Sequence, residues 1–232
     1  MDVVCSWSGG KDSALALDLA VAAGARPRAL LSMLTEDGAR SRSHGLHRSI
    51  LAAQAEALGL PLATAAASWD DYTTAFVREL AAFGADATAC VFGDIDIDDH
   101  HGWCQRAAHF AGLIAWHPLW QRPRRYLLDV LLVRGWRATI VTVRADVLDP
   151  SLLGRVLDHE VVAELEAIDV DPCGENGEYH TLVTNGPLFR APIPIVMRER
   201  MRRSGCWFLD VDLVGPVERA GHDRGRGQRY AR

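Results

Sequence analysis

The chain has 232 residues, 49% of them hydrophobic and 24% charged, which excludes fibres, mini-scaffolds and global disorder and leaves room for one large or two small domains. Its 25 basic and 30 acidic side chains give a net charge of -5, against a protein devoted to holding phosphate backbones. No apolar run reaches the roughly 18 residues of a membrane span, and Lys11 and Asp12 precede any signal-like stretch, so a cytoplasmic protein is expected.

Asp2 to Trp7 reads as a strand, Ser8-Gly9-Gly10 as a tight turn, and the alanine- and leucine-rich stretch from Asp12 to Ala23 as a helix. That helix is apolar on nearly every face except at Asp18, which predicts burial. The alternation continues with strand Arg28–Leu34, helix His47–Leu58, strand Pro61–Ala66, helix Asp70–Phe83, strand Ala87–Phe92, helix Asp98–Ala111 and strand Leu113–Trp116. Strands alternating with single helices predict right-handed crossovers and a Rossmann-like parallel sheet covered on both faces, an α/β fold.

After Pro118 the pattern changes. Helices are expected at Arg124–Arg134 and His159–Ile168, and strands at Trp136–Val143, Glu178–Thr184, Ile193–Met197 and Trp207–Val214, separated by glycine and proline turns. The expected organisation is residues 1–117 as the parallel-sheet domain, 118–215 as a smaller α+β C-terminal subdomain, and 216–232 as a disordered arginine- and glycine-rich tail. Trp103, Trp116, Trp136 and Trp207 sit in apolar contexts and are expected in the core.

Cys5, Cys90, Cys104, Cys173 and Cys206 form no C-x-x-C pair and are read as reduced thiols, against a zinc finger or thiol relay. Of the 25 basic residues, 24 are arginine and the single lysine is Lys11. That lysine lies in Ser8-Gly9-Gly10-Lys11-Asp12-Ser13, between the first strand and the first helix, where an open parallel sheet presents ligands. Two glycines bring bare N–H groups up to a ligand, and the helix start adds unpaired amides and a positive dipole end, which suits phosphate. Ser8 and Ser13 add hydroxyls and Lys11 a point charge, while Asp12 serves as a helix cap or as a Mg2+ contact through water. The same six residues also fit an ordinary turn capped by Asp12. They match neither the G-x-x-x-x-G-K-[ST] loop nor the dinucleotide G-x-G-x-x-G.

Ser8-Gly9-Gly10-Lys11-Asp12-Ser13 resembles the S-G-G-x-D-[ST] pyrophosphate loop of the N-type ATP pyrophosphatases, an adenine nucleotide alpha hydrolase-like (HUP-type) superfamily that cleaves ATP to AMP and pyrophosphate. Downstream, Cys173-Gly174-Glu175-Asn176-Gly177-Glu178-Tyr179-His180-Thr181, followed by Gly186-Pro187-Leu188-Phe189, resembles the signature of the diphthine-ammonia ligase family. Phe92-Gly93-Asp94-Ile95 and Pro118-Leu119-Trp120 match further elements of that family. The chain departs from the signature at His180, where glutamate is usual. Its arginine-rich, lysine-poor composition suits a bacterial-type member.

The resemblance implies an ATP- and Mg2+-dependent ligase that adenylates a carboxylate and amidates it with ammonia. It also implies that Ser8, Gly9, Gly10, Lys11, Asp12 and Ser13 hold the nucleotide, with the adenine against Leu31–Leu34 at Met33. Lys11, Asp94, Glu175 and Glu178 are then expected nearest the chemistry, with Asp12 at the metal and Asp98, His100 and His180 at the substrate. Two alternatives stay open: the same chemistry on another acceptor, a tRNA base or a small metabolite, and a sensor that binds adenine nucleotides without reacting. The negative charge and the missing C-x-x-C disfavour tRNA and sulfur transfer. The acceptor is unreadable, and a homodimer is compatible with the sequence.

The remaining clusters are less specific. Asp94, Asp96 and Asp98 alternate with Ile95 and Ile97, so an extended chain places three carboxylates on one face, fit for Mg2+, ammonium or a cationic substrate head. The bland alternative has Asp98 and Asp99 capping the next helix and Asp96 solvated. An EF-hand fails, because Asp99 and Gln105 occupy its glycine and glutamate positions. His100 and His101, adjacent on a helix, face about 100° apart and poorly serve one metal. Glu178 and His180 are expected to share a face of a strand, and His44 and His47 to border the nucleotide or merely start a helix. The arginine runs at 122–125 and 198–203 read as solvated faces.

Overall fold

The structure, a computed structural model, describes residues 1–215; the arginine-rich tail lies outside them. Five strands, β1 (Asp2–Ser6), β2 (Arg26–Leu34), β3 (Leu62–Ala66), β4 (Ala89–Val91) and β5 (Ile114–Trp116), form one sheet in the order β3-β2-β1-β4-β5. Every pairing is parallel. The connecting helices are α1 (Lys11–Ala22), α2 (Arg48–Leu58), α3 (Tyr72–Ala81) and α4 (Asp98–Phe110). Successive residues of β1 point to opposite faces of the sheet. Val3 and Cys5 join the core under α1 and α2, and Val4 joins the core under α3 and α4.

The strand order reverses at β1, so β2 and β4 leave it in opposite directions and open a crevice above its carboxyl end. The turn after β1 and the Gly93–Asp94 segment after β4 both lie at that crevice.

The second half contributes α5 (Arg124–Val133), β6 (Arg137–Arg144), α6 (His159–Ala167), β7 (Tyr179–Asn185), β8 (Ile195–Arg203) and β9 (Cys206–Leu213). Its strands form an antiparallel sheet in the order β7-β6-β9-β8. The architecture is thus an α/β parallel sheet followed by a small antiparallel one. All five cysteines are free thiols. Among the described residues no helix is long and apolar enough to cross a membrane.

One core cluster continues from α1 and β1 into α5, α6, β6 and β7. Within it, Asp18 is only 1% exposed. It is tolerated because Arg134 grips both carboxylate oxygens and Trp136 Nε1 donates to Oδ2 at 2.9 Å. Arg134 reaches solvent, so Asp18→Ala chiefly leaves the buried Trp136 Nε1 without an acceptor. It is expected to lower the unfolding free energy by about 1–3 kcal/mol, read as a reduced urea midpoint with unchanged circular dichroism.

Three expectations are corrected. β4 ends at Val91 and residues 92–97 are loop, so Asp94, Asp96 and Asp98 do not share a strand face. Of the four tryptophans expected in the core only Trp136 is fully buried, while Trp103, Trp116 and Trp207 are half-buried. Arg124 is not a solvated charge: it bridges Asp96 at 2.7 Å and Asp171 at 2.6 Å, tying the loop after β4 to the loop before β7.

Candidate functional site

The turn after β1 is built around two glycines with different demands. Gly9 has φ +85°, in the left-handed region that disfavours side chains. Gly10 has an ordinary φ of -100°, but an added Cβ would lie 2.1 Å from His44 Cε1 and 3.1 Å from the Thr181 carbonyl oxygen. Space, rather than backbone strain, dictates that glycine. Ser8 Oγ lies 3.1 Å from Ser13 Oγ, and Ser13 Oγ donates to the Gly10 carbonyl at 3.1 Å, closing the turn on itself.

The antiparallel sheet holds this turn from the other side. Val183 N–H donates to the Gly9 carbonyl at 2.9 Å, and Lys11 N–H donates to Thr181 Oγ1 at 3.0 Å. Gln54, fully buried on α2, donates to the carbonyls of Gly9 and Val183 and accepts from Trp7 Nε1. The N–H groups of Asp12 and Ser13 have no acceptor among the described residues. Free first-turn amides with a buried lysine beside them are able to hold an anion.

Lys11 and Asp12 border a cavity of about 470 Å³, closed by His44, His100, Glu175, Tyr179 and His180. Lys11 Nζ reaches both Asp12 oxygens, at 2.9 and 2.8 Å, and stands 5.5 Å from the centroid of the Tyr179 ring. Burial opposes its charge, but Asp12, and behind it Tyr179 and Glu175, outweigh that and hold Lys11 above the ordinary lysine range. His44 and His180 stack at 4.8 Å between ring centroids, and His44 Nδ1–H donates to the Thr181 carbonyl at 2.7 Å, leaving Nε2 as an acceptor. Burial, reinforced by Lys11, lowers His44 to about 4; burial, His44 and Lys11 lower His180 to about 3. Both rings are therefore neutral at pH 7.

Glu175 is carried by the Gly174–Gly177 turn. Asp171 accepts from the N–H of Glu175 at 2.9 Å and of Cys173 at 3.0 Å, and Arg124 anchors Asp171. Burial first, and the Asp12 charge second, push the Glu175 carboxyl up to about 8. The folded chain thus keeps a proton that an unfolded glutamate, titrating at about 4.3, gives up. This contribution to stability is complete below about 4.3 and is lost as pH rises through about 8. Glu175→Gln is expected to flatten the decline of the urea midpoint over that window, and an unchanged slope would assign the decline to other groups.

Of the residues expected at the site, Lys11, Asp12, Glu175, His100 and His180 line this cavity together. Ser8 and Met33 line a second, smaller space of about 90 Å³ with Trp7, Arg42, Trp69 and Tyr72, on the other side of the same turn. Gly9, Gly10 and Ser13 build the turn itself and appear in neither lining, and three further expected residues lie elsewhere. Glu178 is buried in the turn, accepting from Asn176 N–H at 2.9 Å and Nδ2 at 3.1 Å, so it shapes the loop that presents Glu175. Asp98 is exposed at the start of α4, outside the cavity lining. Asp94 faces Cys104 and His100. Sequence reasoning missed Gln54, Thr181, Tyr179 and the Arg124–Asp171 pair. Gln54 had a signal, being a lone amide on the apolar face made by Ile50, Leu51 and Ala55; Arg124 and Asp171, 47 positions apart, had none.

Comparison with known families follows the two halves. The model of the diphthamide synthase N-terminal domain matches residues 1–115, and that of the diphthamide synthase C-terminal domain matches residues 123–215. The chain belongs to the diphthamide synthase family. The diphthine–ammonia ligases of Bos taurus and Homo sapiens are each 35% identical to this family member over 104 residues, 43% of this chain and 39% of theirs. That of Schizosaccharomyces pombe is 34% identical over 89 residues, 37% of this chain and 15% of its own. The matched stretch is thus well under half the length of these relatives. Among solved structures, a predicted subunit of tRNA methyltransferase from Methanocaldococcus jannaschii is similar over 81% of this chain and 98% of its own, with a TM-score of 0.45 and 15% identity. That likeness carries no argument about function.

Proposed function

We propose that this diphthamide synthase family member is an ATP-dependent, amide-forming ligase of the diphthine–ammonia ligase type. The observation that carries this reading is the convergence, on one cavity, of Lys11 and Asp12 at the start of α1 with the Glu175 loop from the second family segment. The Lys11 ammonium and the first turn of α1 at Asp12 bind the β- and γ-phosphates. The adenine end passes across the turn to the space lined by Met33, Trp69 and Tyr72.

An acceptor carboxylate attacks the α-phosphorus, giving an acyl-adenylate and releasing pyrophosphate. Donors aimed at the departing charge lower the barrier by several kcal/mol. Ammonia then adds to the acyl carbon, AMP leaves, and the surplus proton of the new amide passes to water or a second ammonia, while the protonated Glu175 carboxyl can donate a hydrogen bond to the departing AMP phosphate. The neutral His44 and His180 add no cationic charge that would repel ammonium at the mouth. The oxygen donors of Asp12 suit a hard cation such as Mg2+, which would neutralise phosphate charge when bound. Glu178 acts here by positioning Glu175.

The test incubates the full chain with ATP, Mg2+, ammonium and candidate carboxylate acceptors, including a diphthine-bearing elongation factor, and identifies the nucleotide product. Acceptor-dependent AMP and pyrophosphate support the ligase. ATP binding without release of pyrophosphate under any of these conditions would make the chain a sensor, and ADP as product would remove the mechanism.

A further inference from the structure

Outside the nucleotide cavity, three side chains from separate elements meet at the carboxyl ends of β4 and β5. Asp94 follows β4, Cys104 lies on α4 and His117 follows β5. One ligand atom from each lies within 4.8 Å of the others. Cys104 Sγ is 3.4 Å from Asp94 Oδ2, and the thiol is almost fully buried. His117 Nε2 is buried and has no hydrogen-bond partner. The imidazole is held in place, stacked 5.3 Å from Phe92 and contacted at 4.5 Å by His101, whose ring stacks on Trp120 at 4.0 Å. A rigid, orphaned acceptor beside a thiol and a carboxylate has an unmet need for a cation.

We propose that Asp94, Cys104 and His117 form a site for a zinc-class divalent metal. A thiolate, an imidazole and a carboxylate are the mixed donors that Zn2+ takes, whereas Mg2+ and Ca2+ require oxygen throughout. Zn–S and Zn–N bonds of about 2.3 and 2.0 Å put tetrahedral donors about 3.5 Å apart. The widest separation here must therefore close by about 1 Å, a movement that side-chain rotation provides. Binding exchanges the Cys104 S–H bond for an S–Zn bond and sends the proton to solvent, with no change of oxidation state. The fourth position goes to water. His100 Nδ1, 3.8 Å from Asp94 Oδ1, orients the carboxylate from outside the metal's own ligands. None of the three ligands lines the Lys11 cavity, so the inference does not depend on the nucleotide reading. Its effect would be to fasten the loop after β4, which carries Gly93 against the start of α1.

The probe is Co2+, added to the chelator-treated full chain under reducing conditions. One equivalent is expected to bind, with thiolate-to-cobalt charge transfer and tetrahedral visible bands, and Zn2+ is expected to displace it. Cys104→Ser is expected to abolish the charge-transfer band, and His117→Gln to weaken binding at least about tenfold while keeping it. Cys173→Ser is expected to change neither. X-ray absorption on the zinc-loaded wild type, which needs no variant to fold, is expected to show a single sulfur at about 2.3 Å. No stoichiometric uptake, a shell without sulfur, or a charge-transfer band surviving in Cys104→Ser would overturn the site.

Discussion

Lys11→Ala is expected to slow conversion of ATP to AMP and pyrophosphate by about 100- to 1,000-fold, the effect of removing one preorganised donor from developing negative charge. Lys11 is the chain's only lysine and is buried against the start of α1, with its ammonium turned into the cavity beside Asp12 and Tyr179. Its loss leaves the Asp12 carboxylate, which is 30% exposed and reached by water, so the fold is expected to survive. A midpoint of thermal unfolding within a few degrees of wild type, together with the collapsed rate, separates catalysis from stability. Lys11→Arg is expected to recover little, because a planar guanidinium does not reproduce the position of a compact ammonium held between Asp12 and the Tyr179 ring. Full turnover in Lys11→Ala would remove the lysine from the chemistry.

The second large effect is steric. Gly10→Ala is expected to reduce nucleotide affinity at least tenfold, about 1.4 kcal/mol. The backbone there accepts any residue, but the new methyl would overlap His44, whose ring is fixed by the Thr181 carbonyl and by stacking on His180. Either the ring moves or the turn does, and overpacking of this kind costs about 1–3 kcal/mol. The double variant Gly10→Ala/His44→Ala vacates the contested space and is expected to restore binding. Failure of that rescue would show that Gly10 is needed for something other than room.

Much of this site was legible in the sequence because its parts are local. Ser8 to Ser13 carries its glycines, hydroxyls and lysine within six consecutive residues, and the strand before it and helix after it are both read from short-range pattern. Cys173 to Thr181 is likewise contiguous, and Glu175 and His180 from it line the cavity. The errors came where a side chain's direction depends on tertiary contacts. Alternating Asp94, Asp96 and Asp98 suggested a strand, but β4 stops at Val91, and beyond it Asp96 turns to Arg124 and Asp94 to Cys104, both from later elements. Glu178 carries the same charge as Glu175 three residues earlier, yet the turn folds it inward onto Asn176. Gln54 and Thr181 bind the turn across 45 and 170 positions of chain, distances at which no periodicity speaks.

The most direct test of the central claim is calorimetry of the full chain with α,β-methylene-ATP and Mg2+, an analogue that cannot be cleaved between its α- and β-phosphates. The account predicts one site per chain, weakened at least tenfold in Gly10→Ala and regained in Gly10→Ala/His44→Ala. Absence of binding, or binding that is indifferent to Gly10 and Lys11 alike, would contradict it.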